Sequence, residues 1–167
     1  KKYLEPAFHD TISLSGKVFL VTGATSGIGY CLSEYLAKKG GKVYMVCRNK
    51  ERAEAARSAI VENTGADSDK VTTLIADCSL GSDVRRLMQD FDGREERLDA
   101  LVCNAGAITK EKTLTKEGFE VTFATHLLHG SYLLAQLATP YLRRAEQPRC
   151  VFVSSGGMYN FPWSWPK

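Results

Sequence analysis

The sequence contains no apolar run approaching the ~18 residues that a membrane-spanning helix requires. Its Lys1-Lys2-Tyr3 start lacks the apolar core of a signal peptide, so no membrane span is expected in this chain. The five cysteines, Cys31, Cys47, Cys78, Cys103 and Cys150, form no Cys-x-x-Cys pair, which removes the commonest zinc and dithiol signatures. Most fall inside predicted strands or helices, where a thiol acts as a small apolar group. They are read as reduced, in a cytoplasmic, reducing compartment, with organelle targeting left open. Charge of one sign is not gathered either: 22 Lys and Arg and 19 Asp and Glu are interspersed, for a net charge of +3. A nucleic-acid binder would need a basic stripe or an aromatic stacking motif, and neither is there. Internal repeats and low-complexity tracts are also missing.

What is present is an alternation. A chain of 167 residues suits one domain, able to bury about 70% of its unfolded surface. Residues 1–15 carry Pro6 and no clear period and are read as an irregular N-terminal arm; residues 16–167 form the domain. From Lys17, short runs rich in Val, Leu and Ile alternate with longer helical ones. Strands are expected at 17–22, 42–47, 71–76, 99–103 and 149–154, and helices at 27–39, 50–62, 80–90 and 117–143. Strands apolar on both faces and separated by helices imply a parallel sheet covered on both sides. Right-handed crossovers then give an α/β, Rossmann-like, doubly wound sheet of order 3-2-1-4-5. Asn49 and Ser79 are candidate helix N-caps, and Gly40, Gly65 and Gly93 stand where helices should stop.

Thr22-Gly23-Ala24-Thr25-Ser26-Gly27-Ile28-Gly29 lies between the first strand and the first helix. Glycine there allows positive φ, close approach of backbone to a ligand, and tight packing of helix on strand. The unpaired N–H groups of the helix then face an anion, here a pyrophosphate. Gly23, Thr25, Ser26, Gly27, Ile28 and Gly29 are therefore candidate cofactor contacts. At the end of the second strand, about twenty residues on, a carboxylate would accept from the ribose hydroxyls of NAD. The sequence instead reads Val46-Cys47-Arg48-Asn49, putting a guanidinium where a 2′-phosphate would lie. This selects NADP(H), unless Arg48 is simply a surface arginine.

The spacing T-G-x-x-x-G-x-G resembles the short-chain dehydrogenase/reductase family, as do Asp77-Cys78, Asn104-Ala105-Gly106 and Val153-Ser154-Ser155 in that order. The resemblance spans about residues 16–158. In retinol-dehydrogenase-like members the Cys-Arg-Asn stretch goes with NADP(H). The resemblance implies that Asp77 and Cys78 meet the adenine edge, though Asp77 could equally cap the helix near Leu80. It also implies that Asn104, Ala105 and Gly106 pass beside the cofactor ribose while the Asn amide ties strands together.

Carbonyl reduction by hydride transfer needs an acid for the developing alkoxide and donors for the substrate oxygen. In the resembled family a Tyr with a Lys four residues later does the first, a Ser the second, and an Asn on the long helix completes a relay. Ser155 matches the Ser. His126 stands in the slot of the Asn; imidazole both donates and accepts, so it either supports the relay or is a helix-face histidine with no catalytic part. His126 and His129 share a face at i, i+3 spacing, but no third ligand stands nearby and no metal is expected. No Tyr-x-x-x-Lys pair is present: Tyr159 is followed four places on by Trp163, and the chain stops at Lys167. The expectation is the front part of a longer protein, lacking the C-terminal strands. Trp163 and Trp165 would either line an apolar pocket or pack. The expected activity is an NADP-dependent oxidoreductase acting on a carbonyl or secondary alcohol of a small, lipophilic molecule; the alternative is a catalytically silent dinucleotide-binding or scaffold protein. The apolar faces of the long helix allow a homodimer.

Overall fold

A computed structural model describes residues 11–106 and 109–156. Residues 1–10 of the expected arm lie outside them, as do Tyr159, Trp163 and Trp165. Five parallel strands, β1 (Val18–Thr22), β2 (Lys42–Cys47), β3 (Val71–Ile75), β4 (Ala100–Cys103) and β5 (Arg149–Phe152), form one sheet of order β3-β2-β1-β4-β5. The order is the expected one. Val18 pairs with Lys42 and Phe19 with both Val43 and Ala100, so β1 is central and its five residues are all buried.

The two-residue period of β1 divides the core. Phe19 and Val21 face α1 (Gly27–Lys38) and α2 (Lys50–Thr64), packing with Leu36, Ala53 and Ile60. Val18 and Leu20 face α3 (Gly81–Asp92) and the long helix at residues 121–142, packing with Leu87, Phe91 and Leu134. On that side Phe91 sits edge-on to Tyr44 at 5.2 Å and to Tyr141 at 5.3 Å. At the carboxyl ends of the strands the chain turns one way after β1 and the other after β4, which opens a crevice between them.

Two sequence expectations need correction. The long helix begins at Val121, not at residue 117: Gly118 has φ of 82°, Leu114 bridges Glu120, and the Glu120 carboxylate accepts from the N–H groups of Thr122 and Phe123. It runs as α4 (Val121–Phe123), a π-helical stretch Ala124–Leu133, and α5 (Leu134–Leu142). Ser79 is not a cap; Leu80 occupies the N-cap of α3 and gives no side-chain bond. Gly93 ends α3 where expected, at φ of −69°. Asn49 does cap α2, and Gly65 ends it in the left-handed conformation.

Cys47, Cys78 and Cys103 are buried as expected, and burial raises their thiols to about 11, about 12 and about 12. Cys31 and Cys150 are exposed, against the expectation of an apolar packing role. Cys150 sits on β5, all four residues of which are exposed. None of the described helices is long and apolar enough to cross a membrane.

Candidate functional site

The glycine turn takes its shape from contacts that a side chain would destroy. Gly23 has φ of 67°, its N–H donates to the Val46 carbonyl at 2.9 Å, and a Cβ there would stand 2.9 Å from Ala105 Cα. A Cβ on Gly29 would stand 2.4 Å from the Gly23 oxygen and 2.5 Å from Asn104 Nδ2. Gly29 thus lets α1 press onto the turn, while Gly27, at φ of 56°, faces open space. The N-cap of α1, Ser26, makes no side-chain bond, and the first turn of α1 has no acidic residue. A helix N-terminus of this kind favours an anion. The other three helix N-termini facing this end of the sheet are already satisfied: Asn49 Oδ1 accepts from Arg52 N at 2.8 Å, the Glu120 carboxylate from Thr122 N at 2.9 Å and Phe123 N at 2.7 Å, and the Glu117 carboxylate from Gly81 N at 2.8 Å and Ser82 N at 3.0 Å. Those bonds hold the Glu117 carboxyl down to about 2.

Asn104 secures the far side. Its Nδ2 donates to the Thr22 oxygen at 2.9 Å, joining the ends of β1 and β4 as expected. Thr22, which sequence reasoning did not single out, answers it: its buried Oγ1 accepts from Asn104 N and Ala105 N, both at 2.9 Å. A buried hydroxyl accepting two amide protons fixes the backbone of residues 104–105 in one path.

Between these walls runs a cleft of about 470 Å³ lined by Gly23, Thr25, Ser26, Arg48, Asp77, Cys78, Asn104, Ala105 and Gly106, among others. Nine sequence-derived candidates therefore meet in one place. Gly27 and Gly29 flank it from α1, Ile28 is exposed beside it, and Asn49 is spent on capping α2. Arg48 is 77% exposed and its Nη1 lies 4.0 Å from Asp77 Oδ2. Asp77 Oδ1 accepts from Ser79 N at 2.9 Å, so this carboxylate closes the turn before α3 and leaves one oxygen toward the cleft. Arg52, one turn into α2, also lines the cleft and was missed; its four-residue spacing from Arg48 across an N-cap was the available signal.

A second cleft, of about 680 Å³, shares Asn104, Ala105 and Gly106 with the first and continues past His126, Leu127, Tyr132, Phe152, Val153, Ser154 and Ser155. It brings His126 and Ser155 together. A Cβ on Gly106 would stand 3.1 Å from His126 Nε2, so the imidazole sits directly over that glycine at the junction of the two clefts. The shared helix face of the two histidines is not observed. In the π-helical stretch hydrogen bonds span five residues and each turn is wider, so residues three apart no longer share a face. His126 is exposed in the apolar cleft, while His129 is buried with Nδ1 2.9 Å from the Ser79 oxygen.

The sequence profile of the short chain dehydrogenases matches residues 17–164. Dehydrogenase/reductase SDR family member 12 of Bos taurus is 38% identical over 147 residues, which cover 88% of this chain and 45% of that protein. Among solved structures, the oxidoreductase yciK of E. coli superposes with a TM-score of 0.75 at 25% identity, over 93% of this chain and 63% of its own. Pseudomonas aeruginosa RhlG, solved as an NADP active-site complex, gives 0.65 at 28% identity, over 84% and 52%. The chain spans about half the length of the curated relatives it matches.

Proposed function

Because the chain belongs to the short-chain dehydrogenase family, we propose that it binds NADP(H) and serves an oxidoreductase acting on a carbonyl or secondary alcohol of a small, lipophilic substrate. One observation carries this reading: the polar cleft lined by the glycine turn and the arginines meets the apolar cleft at Asn104-Ala105-Gly106. An elongated ligand laid along both would put its adenylate at the arginines and its other end beside Ser155 and His126.

In this reading the amides at the start of α1, together with Gly23, Thr25 and Ser26, hold the pyrophosphate. Arg48 and Arg52 hold the 2′-phosphate, two guanidiniums suiting a dianion that a single cation would half neutralise. Asp77 and Cys78 receive the adenine, and the backbone of Asn104, Ala105 and Gly106 runs along the ribose. When bound, the nicotinamide supplies or accepts hydride. Ser155 Oγ–H donates to the substrate oxygen, and His126 passes a proton toward it. Leu127, Tyr132, Phe152 and Val153 make the substrate side apolar, which favours a lipophilic molecule and keeps water away from the reacting carbon.

His126 in place of the family's Asn favours a second reading, a dinucleotide-binding protein without turnover. One experiment tests both. The full-length protein is titrated with NADPH and with NADH, followed by fluorescence, and then assayed against a panel of apolar aldehydes and ketones. Selective NADPH binding with turnover supports the first reading, and binding without turnover supports the second.

A further inference from the structure

One buried polar side chain behind the wall of the polar cleft has no part in the reading above. His129 is only 7% exposed, and its Nδ1 lies 2.9 Å from the carbonyl oxygen of Ser79. A carbonyl oxygen only accepts, so Nδ1 carries the proton. The ring is closed in on its other sides. Phe119 meets it edge-on at 5.3 Å, a Glu117 oxygen stands 3.8 Å from Nδ1, and a Cβ on Gly81 would stand 3.2 Å from Nε2. Such an enclosure leaves the imidazole one orientation.

That orientation joins the two walls of the cleft. One wall is the turn carrying Asp77, Cys78 and Ser79; the other is the helix carrying Val121 and Thr125. Next to His129, Gly130 approaches the same turn so closely that a Cβ on it would stand 3.3 Å from Cys78 Cβ. The π-helical winding makes both contacts available from neighbouring residues, with Ser131 Oγ donating to the His126 carbonyl at 2.6 Å, five residues back. The walls therefore touch at a small-residue contact and are pinned by one hydrogen bond in a buried setting, where such a bond is strong.

We propose that His129 is a positioning residue: by holding the Ser79 carbonyl, its Nδ1–H sets the separation between the turn at residues 77–79 and the helix, and so the width of the cleft where the adenine enters. This rests on the dinucleotide reading of the cleft. His129 touches no part of the nucleotide; it acts through the turn.

The test compares wild type, His129→Leu and His129→Asn in the full-length protein. Asn carries an amide N–H close to where Nδ1–H stands, whereas Leu fills the space without a donor. Each is titrated with 2′,5′-ADP, which reports the adenylate end alone, and its thermal midpoint is recorded. We expect His129→Leu to weaken 2′,5′-ADP at least tenfold and His129→Asn to stay within about threefold of wild type. A folded His129→Leu that binds as wild type does, with only a lowered midpoint, makes the residue purely structural and overturns the inference. Equal losses in Leu and Asn also overturn it. Wild type that fails to bind 2′,5′-ADP at all overturns the dinucleotide reading and this inference with it. Should the Leu variant not fold, imidazole 15N NMR of the wild type decides. A ring protonated at Nδ1 whose resonance moves on adding 2′,5′-ADP supports the role, and an Nδ1-bare ring or an unmoved resonance contradicts it.

Discussion

A Cβ placed on Gly29 would stand 2.4 Å from the carbonyl oxygen of Gly23. No side chain fits at that distance, so the contact makes the close approach of α1 to the turn conditional on glycine. Gly29→Val should push the helix off the turn and abolish NADPH binding. Overpacking of this sort costs about 1–3 kcal/mol, so the thermal midpoint should fall as well. A fluorescence titration with NADPH checks the first effect and a thermal melt the second.

Arg48 and Arg52 line the same stretch of the cleft. Hydrogen bonds to charged groups contribute about 1.5–3 kcal/mol, so Arg48→Ala and Arg52→Ala should each weaken NADPH by roughly ten- to a hundredfold. NADH, which lacks the 2′-phosphate, should bind both variants as it binds wild type. Equal losses for the two coenzymes would remove the selectivity assignment. An effect from Arg48 alone would remove Arg52 from it.

Thr22 Oγ1 is the acceptor for two backbone N–H groups, those of Asn104 and Ala105. Thr22→Val keeps the shape and removes that acceptor from both, Asn104 N keeping the Val102 carbonyl at 3.1 Å while Ala105 N is left unsatisfied; an unsatisfied buried donor costs about 1–3 kcal/mol. A stability loss of at least that size is expected in urea or thermal unfolding. Because residues 104–106 border both clefts, coenzyme affinity should fall in the same variant.

The Glu117 carboxyl, ordinarily near 4.5, is held down to about 2 by the amides of Ser82 and Gly81. A depressed folded-state value means that the carboxylate stabilises the fold above the unfolded value and that this contribution is lost as pH falls from 4.5 toward 2. Glu117→Gln should therefore have a lower thermal midpoint than wild type at pH 7. The gap should close between pH 4.5 and pH 2. A gap that stays constant through that window would mean the contact acts by shape and not by charge.

How far the sequence could be read differs by element. Strands, their order and the glycine turn were legible, because two-residue apolar periods and glycine spacing are local signals. Arg48 was legible from its place at the end of the second strand, and Asp77 and the run at residues 104–106 from the family resemblance; the structure brings all of them to one cleft. The start of the long helix was not. Glu117 has helix propensity, but its carboxylate is drawn to the N-terminus of α3, 35 and 36 residues away in sequence, and no local pattern encodes that partner. The π-helical winding escaped for a related reason. It brings Gly130 against Cys78 and His129 against Ser79, contacts between residues far apart in sequence, so an α-helical period put His126 and His129 on one face when the structure separates them. Thr22 and Arg52 read as an ordinary strand end and an ordinary helix residue until the fold supplied their neighbours.

The central claim is that one continuous groove takes a 2′-phosphorylated dinucleotide with its adenylate at the arginines and its nicotinamide beside Ser155. A crystal structure of the full-length protein grown with NADPH tests it most directly. The account predicts electron density with the diphosphate on the amides of residues 27–29, the 2′-phosphate between Arg48 and Arg52, and the nicotinamide ring against residues 104–106. Density for NADPH elsewhere on the surface, or its 2′-phosphate turned away from both guanidiniums, would contradict it.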